Sequence, residues 1–204
     1  MLIDLEQLST PQVYFTMTQA VMPRPVAWVL SENKNGSYNL APFSYFNAVS
    51  SDPPLVMISI GLRDDGTLKD TLANVMARPE LVIHIASCDQ LPDLNLSSAT
   101  LPPGKSEVAA GNLETTAVED FHLPRLTQSK IAFMSRVHKI EKIGNNNQHI
   151  VFAEIRKIYV ADEATEINEK GRLQIKADVV EPLARLGASQ YASFGEILVA
   201  KRPA

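Results

Sequence analysis

One cysteine in 204 residues leaves no partner for an intrachain disulfide, which suits a reducing compartment. Glycine is also scarce, at nine, and no G-x-G-x-x-G run exists to cradle a pyrophosphate at a helix start. A doubly wound dinucleotide fold is therefore not expected. No window approaches the roughly 20 apolar residues that a membrane-crossing helix needs. The opening Met1-Leu2-Ile3-Asp4-Leu5-Glu6 lacks the basic stretch and apolar core of a signal peptide. Both absences point to a cytoplasmic protein with no membrane partner. Positive charge is short too. The 19 Lys and Arg against 23 Asp and Glu leave a net charge of -4, which speaks against nucleic acid as a partner. His84, His122, His138 and His149 share no metal-ligand spacing with one another or with Cys88, and no G-x-S-x-G elbow occurs. No catalytic side chain and no metal site are assigned. Cys88 follows the apolar run Leu81–Ala86 and reads as a small apolar residue. His84, inside that run, reads as a hydrogen-bonded core histidine.

What is present is an ordinary globular composition, 45% hydrophobic and 21% charged. A chain of this length buries roughly 70% of its unfolded surface as one large domain. Five apolar, β-branched runs have strand length: 26–30, 55–60 after Pro53-Pro54, 81–86 after Pro79, 131–140 and 150–160. Asn35-Gly36 suits a type I′ hairpin turn. Gly144-Asn145-Asn146-Asn147 suits a second turn between the fourth and fifth runs. Leu68, Leu72, Val75 and Met76 fall on one helical face, with Thr67 as cap and Asp70 three residues on. Another helical piece is expected over Ser106–Leu113. Strands outnumber helices and their turns favour antiparallel neighbours, so the expected class is mainly β, a barrel or sandwich with covering helices.

Two segments carry the polar groups a ligand needs. The first, Asn39 to Ser50, mixes amides, hydroxyls and three aromatic rings. It reads either as the wall of a flat heteroaromatic ligand or as a strand connection with internally satisfied turns. The second, Arg63 to Thr71, leads a glycine turn into a helix start carrying Lys69 and Thr71. It reads either as a phosphate site or as a solvated helix start, since three carboxylates stand nearby.

Taken in order, these segments resemble the flavin-reductase-like, FMN-binding split-barrel family. Pro23-Arg24-Pro25-Val26-Ala27-Trp28-Val29 is similar to its R-P-V-A strand, and Asn39 to Asn47 to its N-x-A-P-F-S-x-F-N segment. Val49-Ser50-Ser51-Asp52-Pro53-Pro54-Leu55 is similar to V-S-x-D-P-P-L, and Lys69-Asp70-Thr71 with Asn74 to K-D-T-x-x-N. Pro182 to Gly187 with Tyr191, then Arg202-Pro203, resembles the closing P-x-x-R-L-G-x-x-Y and R-P pieces. The resemblance runs from Pro23 to Pro203. It implies a Greek-key split β-barrel over residues 1–204. Residues 1–20 would form an N-terminal extension, and 162–204 a C-terminal segment on or near the site. It further implies a homodimer, with FMN near the subunit interface. Carried over by motif, Asn39, Ala41, Pro42, Ser44 and Asn47 line the ring and ribityl parts, and Val49 and Ser50 add backbone and hydroxyl contacts. Lys69 and Thr71, with Ser59 and Arg24, hold the phosphate, while Arg185 and Tyr191 close over the site. Residues 129–135 lack the S-P-V-x-L-E-C form, and His122-Leu123-Pro124-Arg125 replaces a serine-rich run. The barrel wall near the flavin is expected to differ accordingly. The implied activity passes electrons from NADH or NADPH through the flavin to an acceptor, either free flavin or a partner protein. The alternatives are an FMN protein for electron transfer or redox sensing with no nicotinamide site of its own, and a non-flavin scaffold.

Overall fold

The computed structural model describes residues 1–145 and 147–200. Its centre is one seven-stranded antiparallel sheet: β1 (Ala27–Glu32), β2 (Tyr38–Phe43), β3 (Phe46–Ser51), β4 (Pro54–Ile60), β5 (Glu80–Ile85), β6 (Ile131–Ile143) and β7 (Gln148–Val160). The spatial order is β2-β1-β5-β6-β7-β4-β3. β2 and β3 are thus the two outermost strands, yet only Ser44 and Tyr45 join them. Laid flat, six strand spacings would separate them by about 29 Å, whereas a two-residue link reaches about 11 Å at most. The sheet must therefore curl until its edges meet. Ser59 N–H, on β4, donates to the Tyr45 carbonyl at 2.8 Å, carrying the β3–β4 ladder into that link. This is the mainly β split barrel that the sequence leads one to expect.

Period-two alternation divides the core. On β1, Ala27 and Val29 join Ile58, Ile83, Val151 and Leu72 in one cluster. Trp28 and Leu30 point the other way, into a cluster with Leu94, Leu123 and Met134. β1 reads as an unbroken apolar run because both of its faces are covered. The cover over Trp28 includes a short helix, Leu91–Leu96, and a small hairpin, Thr115–Val118 with Phe121–Leu126. Trp28 Nε1 finds Ser97 Oγ at 2.9 Å.

Four local expectations are corrected. Asn35-Gly36 does not form a type I′ turn. Gly36 N–H bonds Asn33 O, Asn33 N–H bonds Ser37 O, and only Gly36 has positive φ, at 80°. This is a type I turn closed by a left-handed glycine. Thr67 does not cap the helix α2, which runs Asp70–Ala77 from Lys69. Its N–H and hydroxyl both go to Asp65 Oδ1 instead, an Asx turn. Met76 is 56% exposed, because the buried face of α2 is Thr71, Leu72, Asn74 and Val75. The helical piece near Ser106 shortens to Glu107–Ala110, with Ser106 accepting from Ala109 N–H as its cap. Asn146 of the second turn and the Arg202-Pro203 motif lie outside the described residues.

One helix absent from the expectations, α1 (Thr10–Ala20), precedes the barrel. Its signal was there: Ser9-Thr10-Pro11-Gln12 is a capping-box start with an early proline, and Gln12 Oε1 accepts from Ser9 N–H at 2.8 Å. The C-terminal segment leaves the barrel after β7 and returns through a Ser87–Pro182 bridge. It then adds two short strands, Ala184–Arg185 and Tyr191–Ala192, to Arg24–Pro25.

Candidate functional site

α1, the Ser44-Tyr45 link and the C-terminal strands surround a cleft of about 690 Å³. Its apolar walls include Tyr14 and Phe15 from α1, Phe43 at the end of β2, Tyr45 from the link, and Tyr191 from the C-terminal segment. The floor comes from β4 and β7, where Gln148 Nε2 donates to Ser59 Oγ at 2.8 Å. Gly61 makes room for that pair, since a Cβ there would lie 3.1 Å from Gln148 Oε1.

The charges are one-sided. Arg24, Lys69 and Arg185 line the cleft, and no carboxylate is among the described residues that do so. None of the three cations forms an ion pair with a described Asp or Glu. Arg24 is only 6% exposed. It donates to Thr18 O at 2.6 Å, Leu186 O at 2.7 Å, Val21 O and Ser44 Oγ. Carbonyl dipoles thus satisfy its N–H groups without neutralising its charge. Nearby, burial pushes the Tyr45 phenol up from its ordinary pKa, and Tyr14 adds to this against the pull of Arg24.

A second, smaller cleft of about 160 Å³ shares Pro42, Phe43, Lys69 and Ser98 with the first. It lies over the start of α2. Beneath it runs a buried polar network. Asn39 Nδ2 donates to Thr71 Oγ1 at 2.9 Å and Ser31 Oγ at 3.2 Å. Asn74 Nδ2 reaches Ser31 Oγ at 3.1 Å and Asn33 Oδ1 at 2.9 Å. These bonds dock α2 on β1 and β2. Thr71 accepts from Asn39, so its own hydroxyl hydrogen stays available to a ligand. The carboxylates that crowd this helix start are partly engaged: Asp70 pairs with Arg63 at 2.8 Å, and Asp65 holds Thr67. At the far end Glu107 accepts from Leu40 N–H at 3.0 Å, and burial raises its carboxyl above the usual range.

The motif residues therefore distribute unevenly. Arg24, Pro42, Ser44, Ser59, Lys69, Arg185 and Tyr191 line the larger cleft, while Asn39, Ala41 and Thr71 line the smaller one. Asn47, Val49 and Ser50 line neither. They stand exposed on β3, an outermost strand, with Val49 as the extra residue of a bulge between Ala48 and Ser50. The side chains of Asn47 and Ser50 bond their own chain, Asn47 Oδ1 accepting from Ala48 N–H and Ser50 Oγ donating to Asp52 O and accepting from Asp52 N–H. Tyr14, Phe15, Thr18 and Gln148 were not legible as site residues, because no local motif marks them. His84 is the core histidine expected: it lies fully buried, with Nδ1 on Trp28 O and Leu126 N–H on Nε2, both at 2.9 Å.

A flat aromatic anion fits this cleft, having rings for its faces and uncompensated positive charge for its acid group. A model of the flavin reductase like domain matches residues 17–175. The chain belongs to the flavin reductase like family. An uncharacterised family relative from Halalkalibacterium halodurans is 32% identical, covering 100% of this chain and 97% of its own. YwrF of Bacillus subtilis is also 32% identical, over 99% and 98%. Nitrilotriacetate monooxygenase component B from Bacillus cereus superposes with a TM-score of 0.88 at 30% identity, covering 98% of both chains. The 2-nitrobenzoate 2-nitroreductase NbaA of Pseudomonas fluorescens gives 0.87 at 28% identity, covering 100% of this chain and 96% of its own.

Proposed function

We propose that this flavin reductase like protein holds FMN in the larger cleft and passes electrons from NADH or NADPH to an acceptor. The observation that carries this reading is the cleft's charge: three cations with no carboxylate, set among aromatic walls. When bound, the flavin supplies the redox chemistry, accepting a hydride and giving up electrons, so no catalytic acid or base is needed from the chain. The chain's task is position and electrostatics. Lys69, at the opening of α2, and the Thr71 hydroxyl take the phosphate where the two clefts join. Pro42, Phe43 and Tyr45 wall the ring. Ser44 and Ser59 offer hydroxyls to its polar edge. Tyr14, Phe15, Met17, Val21 and Met22 of α1 and its exit are each more than 40% exposed beside the cleft. An apolar patch of that kind is where a second subunit would pack, and we read the protein as a homodimer. Among the described residues no helix is long and apolar enough to cross a membrane. We place the protein in the cytoplasm, a reducing setting that suits its single cysteine, Cys88.

The test is direct. The purified protein is loaded with FMN, freed of excess, and mixed anaerobically with NADH or NADPH in a stopped-flow instrument. Bleaching of the flavin band with either donor supports the reading. A protein that keeps its FMN but bleaches with neither donor is a flavin protein without reductase activity. One that takes up no FMN rejects both.

A further inference from the structure

Arg24, Arg185 and Tyr191 stand in one row across three short antiparallel strands, with Arg24 opposite Arg185 and Arg185 opposite Tyr191. Directly opposed residues share a face of the sheet, and all three line the larger cleft. Two like charges set opposite each other destabilise a sheet. This pair has no described carboxylate to offset the repulsion.

The two arginines also differ in what they can offer. A guanidinium has five N–H groups. Arg24 spends four of them on Thr18, Val21, Leu186 and Ser44. Arg185 spends one, on Ala188 O, and its Cζ sits over the Tyr191 ring, 4.4 Å from the centroid. Arg24 is thus a fixed buried charge, and Arg185 a braced fork with free donors. The pair is separate from the phosphate end, because the smaller cleft shares Lys69 with the larger one but neither arginine. The volume of about 690 Å³ lies in the upper half of the range for small-molecule pockets, which leaves space for a small ring beside a flavin. A planar fork matches a carboxylate bidentately.

We propose that Arg185, backed by the charge of Arg24, is a carboxylate subsite that holds a small aromatic acid in the cleft as a second ligand. The proposal rests on the flavin reading of the cleft. It refines the motif-based roles of both arginines, which then serve the second ligand rather than the cofactor phosphate.

The experiment titrates the FMN-loaded protein with benzoate and with benzamide, which has the same shape without the charge, following the flavin absorbance. Benzoate is expected to bind at least tenfold more tightly than benzamide. Arg185→Gln should lose about tenfold or more in benzoate affinity, and Arg185→Lys should recover part of the loss. Benzamide affinity, which does not depend on the charge, should stay within twofold of wild type in both variants. Equal binding of benzoate and benzamide overturns the proposal, as does benzoate binding unmoved in Arg185→Gln. A tenfold loss of FMN affinity in Arg185→Gln also overturns it, assigning the pair to the cofactor. So does a loss of NAD⁺ binding with benzoate spared, which would assign the pair to a dinucleotide. Failure of the wild type to take up FMN counts against the reading of the cleft instead. Calorimetry of benzoate on the flavin-free protein then still reports on the arginine pair alone.

Discussion

Two side chains make their contributions for opposite reasons, one exposed and one sealed. Lys69 is exposed at the junction of the two clefts, and no described carboxylate pairs with it. Its replacement by alanine should weaken FMN binding by about 1.5–3 kcal/mol, the worth of a charge-assisted hydrogen bond. A fluorescence titration that gives the wild-type dissociation constant would contradict the phosphate role. His84 is fully buried, and desolvation holds its pKa down at about 4 against the ordinary 6.5. Between those values the unfolded chain binds a proton that the folded chain refuses, so stability falls as pH drops from 6.5 towards 4. The full loss is on the order of 3 kcal/mol. Denaturant midpoints across that window should fall for wild type and fall less for His84→Gln. Parallel curves would show that other groups dominate. At this scale the sequence was legible where a residue's place is local, as with Lys69, which opens α2. It was not legible for Asn39, whose amide is consumed in docking α2. Nor was it for Gln148, which reaches the cleft through the register of β7 against β4. That register is a product of the assembled sheet, and no motif encodes it.

Elements divide in a similar way. Strands with long β-branched runs were readable because burial on one or both faces writes itself into the alternation. Their ends moved by one to three residues, as when the run ending at Ile140 continues to Ile143 along the exposed part of its hairpin. The start of α2 shifted because Asp65 offered Thr67 a turn that competes with capping. α1 is the element whose work is least tied to folding. It buries only Thr18, while Tyr14 and Phe15 are 62% and 56% exposed and wall the cleft. The double change Tyr14→Ala/Phe15→Ala should therefore leave the thermal midpoint nearly unmoved, within about 0.5 kcal/mol per site. It should also weaken FMN binding by about 1–2 kcal/mol through lost aromatic contact. A large drop in the midpoint with ligand affinity intact would reverse that account of the helix.

At the scale of the whole molecule, the mainly β class was legible from strand count and turns, and the Greek-key split barrel from the ordered motifs. Which surfaces remain for another subunit was not, since exposure is settled only once all elements pack. The apolar patch on α1 beside the cleft leads us to expect twice the chain mass in sedimentation equilibrium at micromolar concentration. A monomer that binds FMN tightly would remove the shared-site picture. The short link between the outermost strands has one more consequence. Ser44 and Tyr45 line the cleft, and the Tyr45 carbonyl holds Ser59 N–H, so the ring of strands is buckled beside the cleft we propose for FMN. Occupancy should then still the breathing of that buckle. Amide hydrogen exchange at Ser59 should slow on adding FMN, while amides midway round the hoop, between β5 and β6, keep their pace.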